Sequence, residues 1–376
     1  MPVGITITEI GVSTLLPTLE GIDRVYMVIT STNTADANNP VQVRDLAAFS
    51  SRFPGAQVIV TASVRHFFRN YPQGNLYIVT ANDPAIVGDP TAVGHFSYAL
   101  DQLRMRINLD LGVLIIPEMA NVTAQADRTT LYSAAESLCQ RRRWLHFVNL
   151  ASGTDTKAKA IAERALYASP FGHSAAFYSF IIDPETQRVP IAVTAAAIEL
   201  KRSKEESPYS PPAGAKYPIQ GVASVANYVF DESDYEDLKA QNINVVQDIP
   251  KIGLCLWGAR SLAIDPKFGQ INTRAAISII SKQLDEALTP ILFEESDPQG
   301  FTRREVIRVS TSILERGYLQ GGLSGETSDE AYKIVQTELA SDVPNLRKFQ
   351  IKIYARFVDT LEQIEVQLIN VDQIPA

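Results

Sequence analysis

The chain has little cysteine and little histidine, two and four residues respectively out of 376. Cys139 and Cys255 lie far apart in apolar stretches, SLCQ and GLCLW. A disulfide scaffold or a metal cluster is excluded on that count, and two buried, reduced thiols are expected. His66, His95, His146 and His173 stand singly. Neither His66 nor His146 has a metal-ligand partner at i+2 or i+4, so packed or surface imidazoles are expected. Positive charge is not in excess: the formal net charge is −8, which excludes a general binder of nucleic acid or of anionic membranes. Long apolar runs are missing too. Nothing approaches the ~18–20 residues that span a bilayer, and no cationic stretch leads into an apolar one at the start. Synthesis and folding in the cytoplasm, without membrane insertion, are therefore expected. Signature motifs are also wanting: no GxGxxG after a strand, no GxxxxGK[ST], no HExxH, no GxSxG and no CxxC. The expectation is a protein without catalytic residues, cofactor or metal.

What the chain does have is length and pattern. At 376 residues with 45% hydrophobic content it can bury a large core, and two domains are expected. RVYMVIT (24–30) reads as a buried strand. Asp45 is placed to cap a short helix LAAFSSRF, and QVIVTASVRHFFRN follows as a second helix before the strand LYIVT. From about residue 90 helices and strands alternate. VGHFSYALDQLRMRI is followed by LGVLIIP, ADRTTLYSAAESLCQRRR by WLHFVNL, and DTKAKAIAERALYAS by SAAFYSFII. That alternation predicts a layered α/β domain with a largely parallel sheet. SKEESPYSPPAGAKYPIQG reads as a long loop. In DESDYEDL (231–238) the acids suit a helix N-terminus, with Ser233 and Glu236 as a capping box. Past residue 250 come the strand KIGLCLWGARSLA and the helices INTRAAISIISKQLDEAL and FTRREVIRVSTSILERGYLQ. The strand KFQIKIYARF presents Phe349, Ile351, Ile353, Ala355 and Phe357 to one side and is expected to pair with IEVQLINV.

Both ends alternate as well. Ile5, Ile7 and Ile10 stand among Thr6, Thr8 and Glu9, and Ile364, Val366 and Leu368 alternate with Glu365 and Gln367. A terminal strand is an unpaired ladder of backbone donors and acceptors, a liability unless another chain completes it. Gly11, Pro17 and Gly21 break the stretch after the first strand, and about ten extended residues reach ~30 Å.

Several stretches then fall in a telling order: PVQVRDLAAFSSRFPG, VRHFFRN with LYIVT, LGVLIIPEM, AESLCQRRRWLHFVNL, AGAKYPIQGV, DYEDLKAQNINVVQ, GLCLWGARSLA, and the region from INTRAAISIISKQL through GFTRREVIRVSTSILERGYLQGGLSG to FVDTLEQIEVQL. In that order the sequence resembles contractile tail sheath proteins, the outer tube of phage tails and phage-tail-like injection systems. It departs in its middle loop, KEESPYSPPAGAKYP, and in RVPIAVTAAAIELK, where the family's Pro-Pro-Ser-Gly character is missing. The resemblance implies an α/β fold, α+β overall. A layered outer domain (23–250) and an inner, tube-facing α+β domain (251–357) would lie between an N-terminal arm (1–22) and a C-terminal arm (358–376). The arms would be exchanged between subunits through Ile5, Ile7, Glu9, Ile364, Val366 and Leu368, with Gly11, Pro17 and Gly21 as the hinge. It further implies a homo-oligomer of stacked hexameric rings, with an inner tube protein, baseplate and cap proteins as partners. Arg304 and Arg308, at i, i+4 beside an apolar stripe of Val306, Val309 and Ile313, are candidates for holding the tube; Lys348, Lys352 and Arg356 form a second cationic row. A baseplate or terminator component, or an α/β enzyme without a recognisable motif, stays open at this stage.

Overall fold

Arg24–Ile29 (β1) is the apolar run RVYMVI, and all but its first residue are buried. A strand buried on both faces belongs in the middle of a sheet covered by helices on either side, and that is where β1 lies. The computed structural model describes residues 21–86, 93–106, 108–226, 232–291, 301–337 and 350–360. After β1 come Pro40–Val43 (β2), helices Leu46–Arg52 (α1) and Val58–Asn70 (α2), and Asn75–Thr80 (β3). Next are Val93–Met105 (α3), Gly112–Ile115 (β4), Gln125–Arg142 (α4), Leu145–Asn149 (β5), Lys157–Arg164 (α5) and Ser174–Phe177 (β6). Phe180–Ile182 (β7), Arg188–Pro190 (β8), Ile191–Glu205 (α6), Ser224–Ala226 (β9) and Glu232–Ala240 (α7) follow. Then come Ile243–Ile249 (β10), Gly253–Trp257 (β11), Ile271–Leu288 (α8), Phe301–Leu319 (α9), Tyr332–Thr337 (β12) and Gln350–Ala355 (β13).

The main sheet has eight strands in the order β11-β10-β6-β5-β4-β1-β3-β2. Neighbours from β10 to β3 run parallel, while β11 and β2 close the edges antiparallel. The predicted α/β class and its parallel sheet are therefore borne out. So is the Asp45 cap, whose carboxylate accepts the Ala48 N–H at 2.7 Å. Cys139 and Cys255 are buried free thiols. Two aromatic side chains anchor the sheet's lower half: Tyr26 and Trp144 stack with centroids 4.1 Å apart, and Trp144 Nε1 donates to Asp110 O at 2.8 Å.

Several expectations are corrected. SAAFYSFII is not one strand. Asn149 donates Nδ2 to Ser179 O and accepts the Ala192 N–H, so the chain leaves β6 at Tyr178–Ser179 and β7 joins the separate antiparallel sheet β8-β7-β9. RVPIAVTAAAIELK, unassigned in the sequence, carries α6, which is buried at every residue from Ile191 to Leu200. A helix covered on all sides shows no amphipathic period. α7 begins at Glu232, which takes Ser233 into the helix body and removes it from the capping position. β13 pairs antiparallel with β12, and its expected partner IEVQLINV lies outside the described residues. β11 is the edge strand of the large sheet. Ile22 is buried in the core.

The candidate inter-subunit and tube-facing surfaces

α8 is the element that joins the sheet to the rest. Arg274, on its second turn, carries its charge near His173, just ahead of β6. Arg143, just ahead of β5, meets Asp285 at 2.8 Å and Ser281 O at 3.5 Å. Asp110, just ahead of β4, meets Lys282 at 2.9 Å, and its other oxygen meets Arg24, the first residue of β1, at 2.5 Å. α8 therefore passes the amino-terminal ends of β6, β5, β4 and β1 in turn. Its first half packs in the sheet's core through Ile271, Ala275, Ala276 and Ile279.

Its second half belongs to a smaller cluster in which Ile280 meets Ile313 and Leu314 of α9, with Leu323 and Ala331. Gly317 allows this approach, since a Cβ there would sit 3.1 Å from Ile280 Cδ1. The buried face of α9 is Ser310, Ile313, Leu314 and Gly317, at i, i+3, i+4 and i+7. The stripe drawn from sequence is thus rotated: Val306 and Val309 are only half-buried. Tyr332, Ile334, Ile353, Ala355 and Phe357 cover the same cluster from the β12–β13 pair. Their alternates Lys333, Lys352, Tyr354 and Arg356 are exposed. A two-stranded sheet is marginal by itself. This one rests on α9, and among the described residues its outer edges pair with nothing.

Arg304 and Arg308 are both exposed on α9, as the spacing predicts. Neither is a bare cation. Arg304 lies over the Phe301 ring at 4.5 Å. Arg308 grips Glu305 with two hydrogen bonds, 2.8 Å from Nε and 2.5 Å from Nη2, which hold the Glu305 carboxyl below its ordinary range. Of the second row, Lys352 and Arg356 are exposed and Lys348 lies outside the described residues. So do Ile5, Ile7, Glu9, Gly11, Pro17, Ile364, Val366 and Leu368. Gly21 is described. A Cβ there would fall 2.2 Å from Ser203 Oγ and 2.6 Å from Pro208 Cβ, so close packing demands glycine.

The groups that resemble chemistry are used internally. In open α/β sheets, ligands sit at the carboxyl ends of strands where the winding reverses, here between β1 and β4. That crevice holds Glu118, which accepts the Thr30 N–H at 2.8 Å and the Thr30 hydroxyl at 2.5 Å. Burial, set against those hydrogen bonds, pushes its carboxyl up to about 7. Ser174, His146 and Glu136 form a second grouping, but Glu136 accepts from Ser174 Oγ and the imidazole Nδ1 meets the same hydroxyl at 3.0 Å. A carboxylate that bonds the hydroxyl does not orient the histidine as a triad requires, and burial pushes His146 down to about 3. Glu163 ties the loop after β5 to α5, accepting from Ala151 N–H at 3.0 Å and Tyr167 OH at 2.9 Å beside a cavity of about 510 Å³. The acidic run of α7 turns on one lysine: Asp234 and Asp237 meet Lys157 at 2.5 and 2.6 Å. Among the described residues no helix is long and apolar enough to cross a membrane.

No family model and no curated protein matches the sequence. Solved structures do match the fold. A chain of the anti-feeding prophage baseplate superimposes with a TM-score of 0.73 at 20% identity, covering 98% of this chain and 98% of that one. The helical sheath of the same prophage in its contracted state gives 0.71 at 20% identity, over 93% of each chain. The sheath of an extracellular contractile injection system, PVC, also contracted, gives 0.72 at 15% identity, over 99% of this chain and 98% of that one. The chain therefore has the contractile-sheath fold. That fold bears out the resemblance carried by the order of its sequence landmarks.

Proposed function

We propose that the chain is the sheath subunit of a contractile tail or injection system. It polymerises as stacked hexameric rings around an inner tube, is held at its ends by baseplate and cap proteins, and shortens to drive the tube through a target envelope. The observation that carries this reading is the fold match over nearly the whole of this chain and of sheath chains. The β12–β13 pair supports it, because among the described residues its outer edges leave a place for a strand donated by a neighbour to add. The arms 1–20 and 361–376 supply those strands, and Gly11 and Pro17 provide the bend upstream of the packed Gly21. The outer body runs through β11, and the tube-facing body comprises the end of α8 with α9, β12 and β13.

The work is mechanical and the chain is not an enzyme. Free energy comes from new contacts between rigid subunits in the shortened state. Even ~1 kcal/mol per subunit, on the order of one net polar contact, becomes large along a polymer. Assembly takes place in the cytoplasm. Electron microscopy of the chain co-expressed with its tube protein tests the reading, and long hollow sleeves are expected. The likeness to a baseplate chain supports a second reading, a sheath-fold component of the baseplate. Discrete rings that never elongate favour that reading and overturn the first.

A further inference from the structure

The last described residues, Val358 to Thr360, are held by side chains from the start of α8. Thr273 Oγ1 donates to Val358 O at 3.0 Å, and Asn272 Nδ2 donates to the same carbonyl at 3.4 Å. Thr273 Oγ1 also lies 3.4 Å from Asp359 Oδ1. The Thr360 N–H donates to Gln270 Oε1 at 2.5 Å, and the Thr360 hydroxyl donates to Asn272 Oδ1 at 2.9 Å. Asn272 and Thr273 are buried. On the other side, Val358 N donates to Gly322 O at 3.3 Å, which ties the same segment to the turn after α9. Polar side chains at a helix start ordinarily serve the helix's own unsatisfied N–H groups. Here the first turn of α8 spends them on the backbone of another segment. The Gln270 side chain makes no capping bond to its own helix.

We infer that Gln270, Asn272 and Thr273 form a mechanical clamp at the root of the C-terminal arm. The inference rests on the proposed sheath function and adds to it the point where the load enters the subunit. Tension on a donated arm is delivered at residues 358–360 to the first turn of α8. α8 passes it to the sheet through its buried apolar half and through the Arg143–Asp285 and Lys282–Asp110–Arg24 contacts. With residues 358–360 fixed to its first turn, α8 and the outer body take up that load as one block.

The test uses the full chain with Gln270→Leu and Thr273→Val, which roughly preserve volume and remove those two side chains' hydrogen bonds while leaving Asn272's, and Thr273→Ser, which restores the hydroxyl. Amide hydrogen exchange reads the clamp without any need for assembly. In the parent subunit the Thr360 amide exchanges at least tenfold more slowly than in Gln270→Leu. Exchange at the unprotected rate in the parent overturns the clamp. The double variant folds with its sheet intact, but its assembled sleeves are shortened at least fivefold more than the parent's by a fixed shear, and Thr273→Ser in place of Thr273→Val recovers most of the length. Variant sleeves as long as the parent's after shearing overturn the inference while leaving the sheath function standing. A parent that makes no sleeves overturns the proposed function itself.

Discussion

Lys282, near the end of α8, holds Asp110 at 2.9 Å across the gap between the helix and the start of β4. Partial burial of Asp110 works against its charge, but hydrogen bonds and attraction from Lys282 and Arg24 outweigh it and hold the carboxyl below its ordinary range. The stability it contributes is therefore present above the ordinary carboxylate pKa and is lost as pH falls through the folded one. The pair is partly exposed, so Lys282→Met costs at most about 1 kcal/mol. A double-mutant cycle with Asp110→Asn, repeated in high salt, isolates the coupling. A cycle that closes at zero in low salt removes this contact from the path between α8 and the sheet.

A larger loss is expected at Trp144. It is fully buried, stacks on Tyr26 and donates to Asp110 O. Trp144→Ala creates a cavity and leaves that carbonyl only the long 3.5 Å bond from the Tyr26 hydroxyl, at a cost of about 3–5 kcal/mol. Denaturant unfolding of the subunit measures it, and a loss below about 1 kcal/mol contradicts the stacking with Tyr26.

Two buried carboxyls set the response to alkali. Burial pushes Glu199 up to about 8 against the weaker pull of Arg202, and Glu118 to about 7. Both folded values are raised, so their contribution is fully present below about pH 4.5 and is lost as pH rises through 7 to 8. Each tenfold gain in proton affinity on folding is worth on the order of 1.4 kcal/mol, so stability should fall by a few kcal/mol between pH 5 and 9. Glu199→Gln should flatten much of that fall. Thermal or denaturant unfolding across the range checks it, and an unchanged slope in the variant rejects Glu199 as the cause.

On the tube side, Arg304→Glu is the cleaner substitution. Arg308→Glu would also break the Glu305 pair and set two like charges one turn apart, whereas Arg304 lies over the Phe301 ring. Sleeves of Arg304→Glu around the tube should dissociate at lower salt than the parent's. Unaltered salt sensitivity removes Arg304 from the tube contact.

Deleting residues 1–12 should leave a folded subunit, because the large core from Ile22 onward is built among the described residues without them. Long sleeves should fail to form. Loss of cooperative unfolding in the truncated chain would mean that this strand serves its own subunit.

Much of the fold is written locally. The cap at Asp45 and the bounds of α8, the whole of INTRAAISIISKQLDEAL, depend on residues within a turn or two of one another. The alternation of helices with apolar strands likewise announces a parallel sheet before any contact is known. The exposed positions of Arg304 and Arg308 follow from helical spacing in the same way, and the order of landmarks points to the sheath fold. The path of α6 does not follow, because a helix buried on every side has no periodic signature. Nor does the break at Tyr178–Ser179, which Asn149 makes from thirty residues away. The pairing of β13 with β12, the rotation of α9's buried face and the clamp on residues 358–360 are choices among partners remote in sequence. Period and propensity fix which side of an element is apolar; only the closing of long loops decides what that side meets.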